Sequence, residues 1–432
     1  MPNKMAAADQ VQLAVKSSSV RKGVVGLLFV SVVINYLDRS SISIAGPGIA
    51  DELHLTPVQM GLVFSAFAWA YSPLQIPGSF LVDRIRPRVL YPLAIFCWSL
   101  FATMQGMTSS MWQLVAARLG VGASEVPSYP MNNRIVTTWL PEAERARGVG
   151  FYISGQYVGL AFLTPVLIWL QREFGWRGMF LMTGGLGAAW AGLFYLFYRD
   201  PGDSRANAGE LALIRDGGGQ TATGGFSSAS PVPASVAFRS RKLWGLLLAH
   251  MGETCANWFF LTWFPTYLVK YRHITFLKAG FMATLPFLAA WAGVLLSGYV
   301  SDRMLRSGYS LSLSRKLPIV TGMLLATTLI GANFVDSPAL IITFMTIAFF
   351  GSGLAAISWS VVSSIAPVNL VGLTSGAFNF VGTSMGIVVP LVIGLLVTGD
   401  DFSPALVFVG GMAVLSVFCW TVMVGKIERI QA

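Results

Sequence analysis

ALVFVGGMAVLSVFCWTVMV, residues 405–424, is a run of twenty residues without a charge. A helix of that length spans about 30 Å, the thickness of a bilayer's hydrocarbon core. Hydrocarbon offers no hydrogen-bond partners, so such a run satisfies its own backbone as a helix. Comparable stretches recur at Tyr91–Met107, Met179–Phe197 and Leu317–Phe334. The 432-residue chain is 54% hydrophobic and only 11% charged. A typical soluble domain has about 25% charged residues, so this chain has too little polar surface to cover itself in water. The strand alternation of a transmembrane barrel is absent. The expected class is an all-α polytopic membrane protein.

Twelve spans are expected, at about 23–45, 57–80, 89–107, 111–134, 147–170, 178–198, 243–268, 279–300, 317–334, 338–364, 370–397 and 402–425. Asn35, Asp38 and Arg39 interrupt the first apolar run and no small-residue cleavage site follows, so it is not read as a signal peptide. With both termini on one side, 22 of the 29 Lys and Arg residues fall on that side, five on the other, and Arg39 and Arg118 within spans. The positive-inside rule makes the basic side cytoplasmic. The net charge of +10 follows from this topology and gives no reason to expect a nucleic acid. Cys97, Cys255 and Cys419 lie in apolar spans without metal-ligand spacing and read as packing residues.

Asp200 to about Ser235, rich in Gly, Ser, Ala and Pro, reads as a flexible cytoplasmic linker. The expected organisation is a tail over 1–22, a six-helix lobe over 23–198, a linker over 199–242, a second six-helix lobe over 243–425 and a tail over 426–432. Ser79-Phe-Leu-Val-Asp83-Arg84 follows the second span, and Gly298-Tyr-Val-Ser-Asp302-Arg303 follows the eighth. Two six-helix halves with a duplicated loop suit pseudo-symmetric lobes rocking about a central cavity. Asp83, Arg84, Asp302 and Arg303 are then candidates for a conformational latch at helix ends. Loop charge that only holds the topology is the plainer reading.

A charge at bilayer depth is expensive, so those that occur there face a wet cavity or a partner. Asn35, Asp38 and Arg39 share one helical face with Tyr36 beside them. Arg118, Gly122 and Glu125 share another, and Gly122 admits a close neighbour. Two acids and two arginines sum to zero, so one carboxylate can take up a proton as the local field changes. Static ion pairs locking the lobe are the alternative. His250, Glu253, Thr254 and Asn257 form a third stripe. There His250 is either a site residue or a histidine hydrated at the cytoplasmic mouth. Gln156 and Asn379 are amides suited to hydroxyls, or to gluing helices together. Tyr71, Ser358, Trp359 and Thr383 are further candidate contacts. No nucleophile–base pair, metal cluster or nucleotide loop points to an enzyme, and no cofactor, metal or protein partner is indicated.

Asn35-Tyr36-Leu-Asp38-Arg39, Phe64-Ser-Ala-Phe-Ala-Trp-Ala-Tyr71 and Arg118-x-x-x-Gly122-x-x-Glu125-x-Pro127-x-x-Pro130 carry a family likeness. So do Phe260-Leu-Thr-Trp-Phe-Pro265, Ser358-Trp359, Ala366-Pro367 and Gly376-Ala-Phe-Asn379. Together they resemble the anion:cation symporter family of the major facilitator superfamily. Within it they are similar to bacterial proton-coupled permeases for glucarate, galactarate, galactonate and hexuronates. The resemblance implies that Asp38 and Glu125 bind protons. It implies that Arg39 and Arg118 pair with them or with the substrate carboxylate, and that Tyr36, Tyr71, Gln156, Trp359 and Asn379 contact substrate. The chain departs from the pattern in several places. His250 stands where this branch often has Gln, Ser358 where many have Gly, and Thr383 where Asn is common. Ser364 replaces an acid, and Ser79 the first Gly of the loop motif. The expected function is import of a small hydroxylated organic anion with protons across the cell inner membrane. A proton-driven exporter of amphiphilic compounds and a non-transporting anion sensor are the alternatives.

Overall fold

The computed structural model describes residues 17–219, 238–367 and 370–430. In chain order the main helices are α1 (Val20–Glu52), α2 (Pro57–Arg84), α3 (Pro87–Gln105), α4 (Met111–Glu125), α5 (Ser128–Trp139) and α6 (Glu142–Phe197). A short α7 (Ala208–Asp216) precedes α8 (Arg241–Thr262), α9 (Phe276–Arg306) and α10 (Leu311–Ala326). The last four are α11 (Pro338–Ala355), α12 (Ser358–Ile365), α13 (Val371–Leu396) and α14 (Ser403–Phe418). Among the described residues, eight helices are long and apolar enough to cross a membrane. The expected spans fall on helical segments, but three are broken and two run together. The fourth breaks after Glu125, where Pro127 lacks the N–H that would continue the ladder. The seventh breaks after Thr262, ahead of Pro265. The tenth breaks after Ala355. The fifth and sixth form one long helix interrupted at Gly175, whose φ of 69° is open to glycine.

Among the described residues, the fully buried cores of the two chain halves merge toward one end. Leu37, Phe64, Leu167 and Trp176 share a core with Phe259, Tyr267, Phe287 and Phe402, toward the ends that lack the basic loops. At the basic ends the halves keep separate cores, one around Tyr91, Trp139 and Tyr198, the other around Leu246, Met323 and Trp420. Between the halves, α2 packs on α13 and α6 on α9. The closed end is sealed by backbone approach. A Cβ at Gly61 would come within 2.5 Å of the Pro390 carbonyl, and one at Gly394 within 2.6 Å of the Pro57 carbonyl. Ser43 Oγ donates to the Thr262 carbonyl at 2.6 Å, and Thr284 Oγ1 to that of Ala161 at 3.0 Å. Lys270 Nζ reaches Asp51 Oδ1 at 2.7 Å across the rim. Nearer the middle, Ser72 Oγ lies 3.0 Å from both Thr383 Oγ1 and Ser384 Oγ.

The first part of the expected flexible linker is folded. Asn207 accepts from the Glu210 N–H and caps α7, and Ile214 is buried in the first-half core. The N-cap of α1, Ser19, makes no side-chain cap bond. Glu210 does that work from α7. It accepts from the N–H groups of Val20 (3.1 Å) and Arg21 (3.0 Å), from Arg21 Nη1 (3.1 Å) and from Ser18 Oγ. An anion at this helix end also meets the positive pole of the α1 dipole. Arg21 Nε continues the clasp to Glu144 at 2.9 Å. Residues 220–237 lie outside the described part of the chain.

Candidate functional site

The first-half candidates converge. The stripe of α1 and that of α4 face each other, with α2 packed against α4 so closely that a Cβ at Gly122 would lie 2.2 Å from the Phe67 carbonyl. Arg39 Nε donates to Glu125 Oε2 at 2.7 Å, and Nη2 sits at the same distance from that oxygen. The guanidinium carbon of Arg39 lies 4.7 Å from the Phe67 ring, 4.9 Å from Tyr71 and 5.3 Å from Tyr36. That of Arg118 lies 5.5 Å from the same Phe67 ring. Aromatic faces are negative, so this box stabilises cations that have left water. Tyr129 OH donates to Tyr36 OH at 3.2 Å.

Around the Arg39–Glu125 pair the polar atoms are unspent. Both oxygens of Asp38, both amide atoms of Asn35, Oε1 of Glu125, and Nε and Nη1 of Arg118 are buried without a hydrogen-bond partner among the described residues. Buried polar atoms in this state carry a penalty of about 1–3 kcal/mol each, more for charged groups. A polar ligand, water or a proton relieves it. Asp38 does not join the Arg39–Glu125 pair, so the two carboxylates have different surroundings.

The second half holds a separate cluster. Glu253 Oε1 accepts from Trp420 Nε1 at 2.6 Å, and Oε2 from Ser358 Oγ at 2.7 Å. His250 Nδ1 lies 3.1 Å from Oε2, within hydrogen-bond reach. The His250 ring stacks on Phe378 with centroids 3.6 Å apart and meets Trp359 edge-on at 5.8 Å. It is 4% exposed, so it is not hydrated at a cytoplasmic mouth. Trp359 is half-exposed, and Tyr36, Gln156, Asn379 and Thr383 are partly so. Thr383 is also one of the hydroxyls bonded to Ser72 across the halves. Ser358 spends its hydroxyl on Glu253.

The loop candidates behave differently in the two halves. Asp302 lies 3.6 Å from Arg315, and Arg84 and Arg303 are exposed. The Asp83 side chain lies outside the described residues. In the first half the loop is held by Arg134, which donates to the carbonyls of Val82 and Ile85. Arg134, Phe67, Tyr129 and Trp420 make these contacts without standing among the candidates expected from the sequence. Phe67 had a signal, one helical turn before Tyr71 on the same face. Trp420 had none beyond its indole N–H in an apolar span.

The sequence model described as Major Facilitator Superfamily matches residues 28–390. The D-galactonate transporter of Escherichia coli O6:H1 is 46% identical over 414 residues, 94% of this chain and 95% of that protein. The probable galactarate/D-glucarate transporter of Bacillus subtilis is 39% identical, over 96% of this chain and 94% of its own. Among solved structures, an inward-facing, unoccupied bacterial homolog of the human lysosomal transporter Spinster superposes with a TM-score of 0.72 at 19% identity. That match covers 95% of each chain. A D-xylose-proton symporter gives 0.73 at 13% identity, over 95% of this chain and 99% of the other. At those identities the structural likeness speaks for the fold alone. The relatives are membrane transporters, and the chain is a multi-pass membrane protein of that kind and not an enzyme.

Proposed function

The chain belongs to the major facilitator superfamily, and on that footing we propose that it imports a sugar-acid anion together with protons by alternating access. The observation that carries the reading is the buried Arg39–Glu125 pair, with Asp38 and Arg118 beside it and their polar atoms unspent. A carboxylate substrate competes with Glu125 for Arg39, because a planar guanidinium fork matches either acid. Protonation of Glu125 releases Arg39 to the substrate. Substrate departure then returns Arg39 to Glu125 and expels the proton, so the two ligands are linked through one cation. Asp38, which has no cation bonded to it among the described residues, is the second proton site. Tyr36, Tyr71, Gln156, Trp359, Asn379 and Thr383 supply the hydroxyl-reading surface. The galactonate and galactarate/D-glucarate carriers among the relatives support a sugar acid as the anion.

The architecture in this reading is twelve spans in two six-helix lobes, 23–198 and 243–425. The paired contacts of α2 with α13 and α6 with α9 support it, because the exchange of halves turns one into the other. The basic ends are cytoplasmic, in the bacterial inner membrane, with both termini inside. The separate cores there correspond to an inward-facing state. Asp83, Arg84, Asp302 and Arg303 act as latches at the inner ends of the lobes. An amphiphile exporter fits less well, because Arg39 and Arg118 place fixed positive charge in the site. Uptake by proteoliposomes under an imposed pH gradient, with galactonate, galactarate and hexuronates as substrates, tests the proposal. Gradient-driven accumulation of a sugar acid supports it, and indifference to all of them refutes it.

A further inference from the structure

We infer that the carrier selects sugar acids with one carboxylate over aldarates, which carry one at each end. The inference rests on the reading just proposed, that an acid binds between Arg39 and the second-half surface of Trp359, Asn379 and Thr383.

The cations of the site stand on one side. Arg39 and Arg118 both lie beside Phe67, in the first half. The six expected spans of the second half contain no Lys or Arg, and their only ionisable side chains besides Cys and Tyr are His250 and Glu253. His250 is not available to a ligand. Its Nδ1 is on Glu253, its face is on Phe378, and its Nε2 is so near α13 that a Cβ at Gly382 would lie 2.5 Å from it. No other ionisable side chain faces this ring from α12, α13 or α14. From those helices it meets Trp359, Phe378 and Gly382, while Ser358 and Trp420 bond Glu253. The ring is spent on Glu253 and Phe378, so this side of the cavity offers no spare cation to a ligand.

A six-carbon acid held by its C1 carboxylate at Arg39 ends five carbon–carbon bonds away. In an aldonate that end is a hydroxyl, which the Asn379 amide and the Thr383 hydroxyl suit. In an aldarate it is a second carboxylate, removed from water with no cation to meet it and Glu253 behind the lining. An unpaired charge in such a place is strongly disfavoured. Two carboxylates in one low-dielectric region repel as well.

The test uses matched acids that differ only at C6: galactonate with galactarate, and gluconate with glucarate. The full-length protein in proteoliposomes, under an inward proton gradient, takes up whichever labelled sugar acid it transports, and the unlabelled acids compete. In each series that competes, the aldarate is expected to need at least about tenfold more for half-inhibition, a difference of about 1.4 kcal/mol. Glu253→Gln is expected to narrow that ratio by about threefold or more. An aldarate equal to or better than its aldonate in wild type overturns the inference while leaving sugar-acid transport standing. Absence of uptake and competition by every acid of both classes overturns the transport reading itself. If Glu253→Gln does not fold, the wild-type ratio still decides.

Discussion

One oxygen of Glu125, Oε2, is held by Arg39 at 2.7 Å, while the other, Oε1, is buried with no hydrogen-bond partner among the described residues. A carboxylate spent on only one of its oxygens keeps a lone pair for a proton. The amide of Glu125→Gln imitates the protonated acid but cannot lose a proton afterwards. We expect that variant to bind sugar acids with near wild-type affinity and to exchange them across the membrane, yet to lose gradient-driven accumulation. Wild-type accumulation by Glu125→Gln removes Glu125 from the coupling.

Arg39 also sets a scale for recognition. A charge-assisted bond to a carboxylate contributes about 1.5–3 kcal/mol, against about 0.5–1.5 for a neutral one. Arg39→Ala is therefore expected to weaken substrate binding far more than Asn379→Ala, read in parallel binding titrations. Equal losses point to hydroxyl recognition as the main term.

The helical stripes of this site were legible in the sequence, and its partners were not. Asn35, Asp38 and Arg39, like Arg118, Gly122 and Glu125, sit at spacings that share one face whatever surrounds the helix. Their convergence follows from the cost of burying charge alone. Trp420, by contrast, reads as packing in an apolar span, since only tertiary placement decides which acceptor its N–H meets. The linker misled through composition. Its glycines and serines read as flexible, yet Asn207 and Glu210 stand at N-cap and N3 spacing, a helix-start signal inside it. His250, eight residues from Lys242, is open in the sequence to two readings, a site residue or a histidine hydrated at the cytoplasmic mouth. The side chain turns inward onto Phe378 and Glu253.

Trp420→Phe tests the second-half cluster. It keeps the aromatic volume but leaves Glu253 Oε1 without its donor, a loss of about 1–3 kcal/mol for a buried group. The expected result is a lower apparent Tm in detergent. An unchanged Tm shows that Oε1 is satisfied by other means.

The linker clasp has a pH signature. Burial alone raises Glu210, but bonds from Ser18 and from the backbone and side chain of Arg21 outweigh it and hold the carboxyl below 4.5. The hydrogen bond from Arg21 likewise holds Glu144 below 4.5. A carboxylate depressed in the fold stabilises it above the unfolded value, and that contribution is lost as pH falls through the folded one. Glu210→Gln is therefore expected to lower the Tm at neutral pH, with the gap from wild type closing well below pH 4.5. A gap that persists in strong acid contradicts the clasp.

Closure of the non-basic end depends on Gly61 and Gly394, each facing a carbonyl of the other half. A leucine at both positions is expected to hold that end open. In the double variant, cysteines placed along Ser43–Gly46 should react faster with an impermeant thiol reagent from outside, and transport should fall. Unaltered reactivity with full transport shows that the seam absorbs the extra bulk.

In the proposed mechanism, sugar-acid entry is coupled to protons through one arginine and its carboxylates. Its most direct measurement is uptake of labelled galactonate into proteoliposomes with an inward proton gradient, with and without a protonophore. Accumulation above the external concentration is expected, collapsing when the protonophore is added. Uptake at the same rate and extent with the gradient dissipated contradicts the coupling.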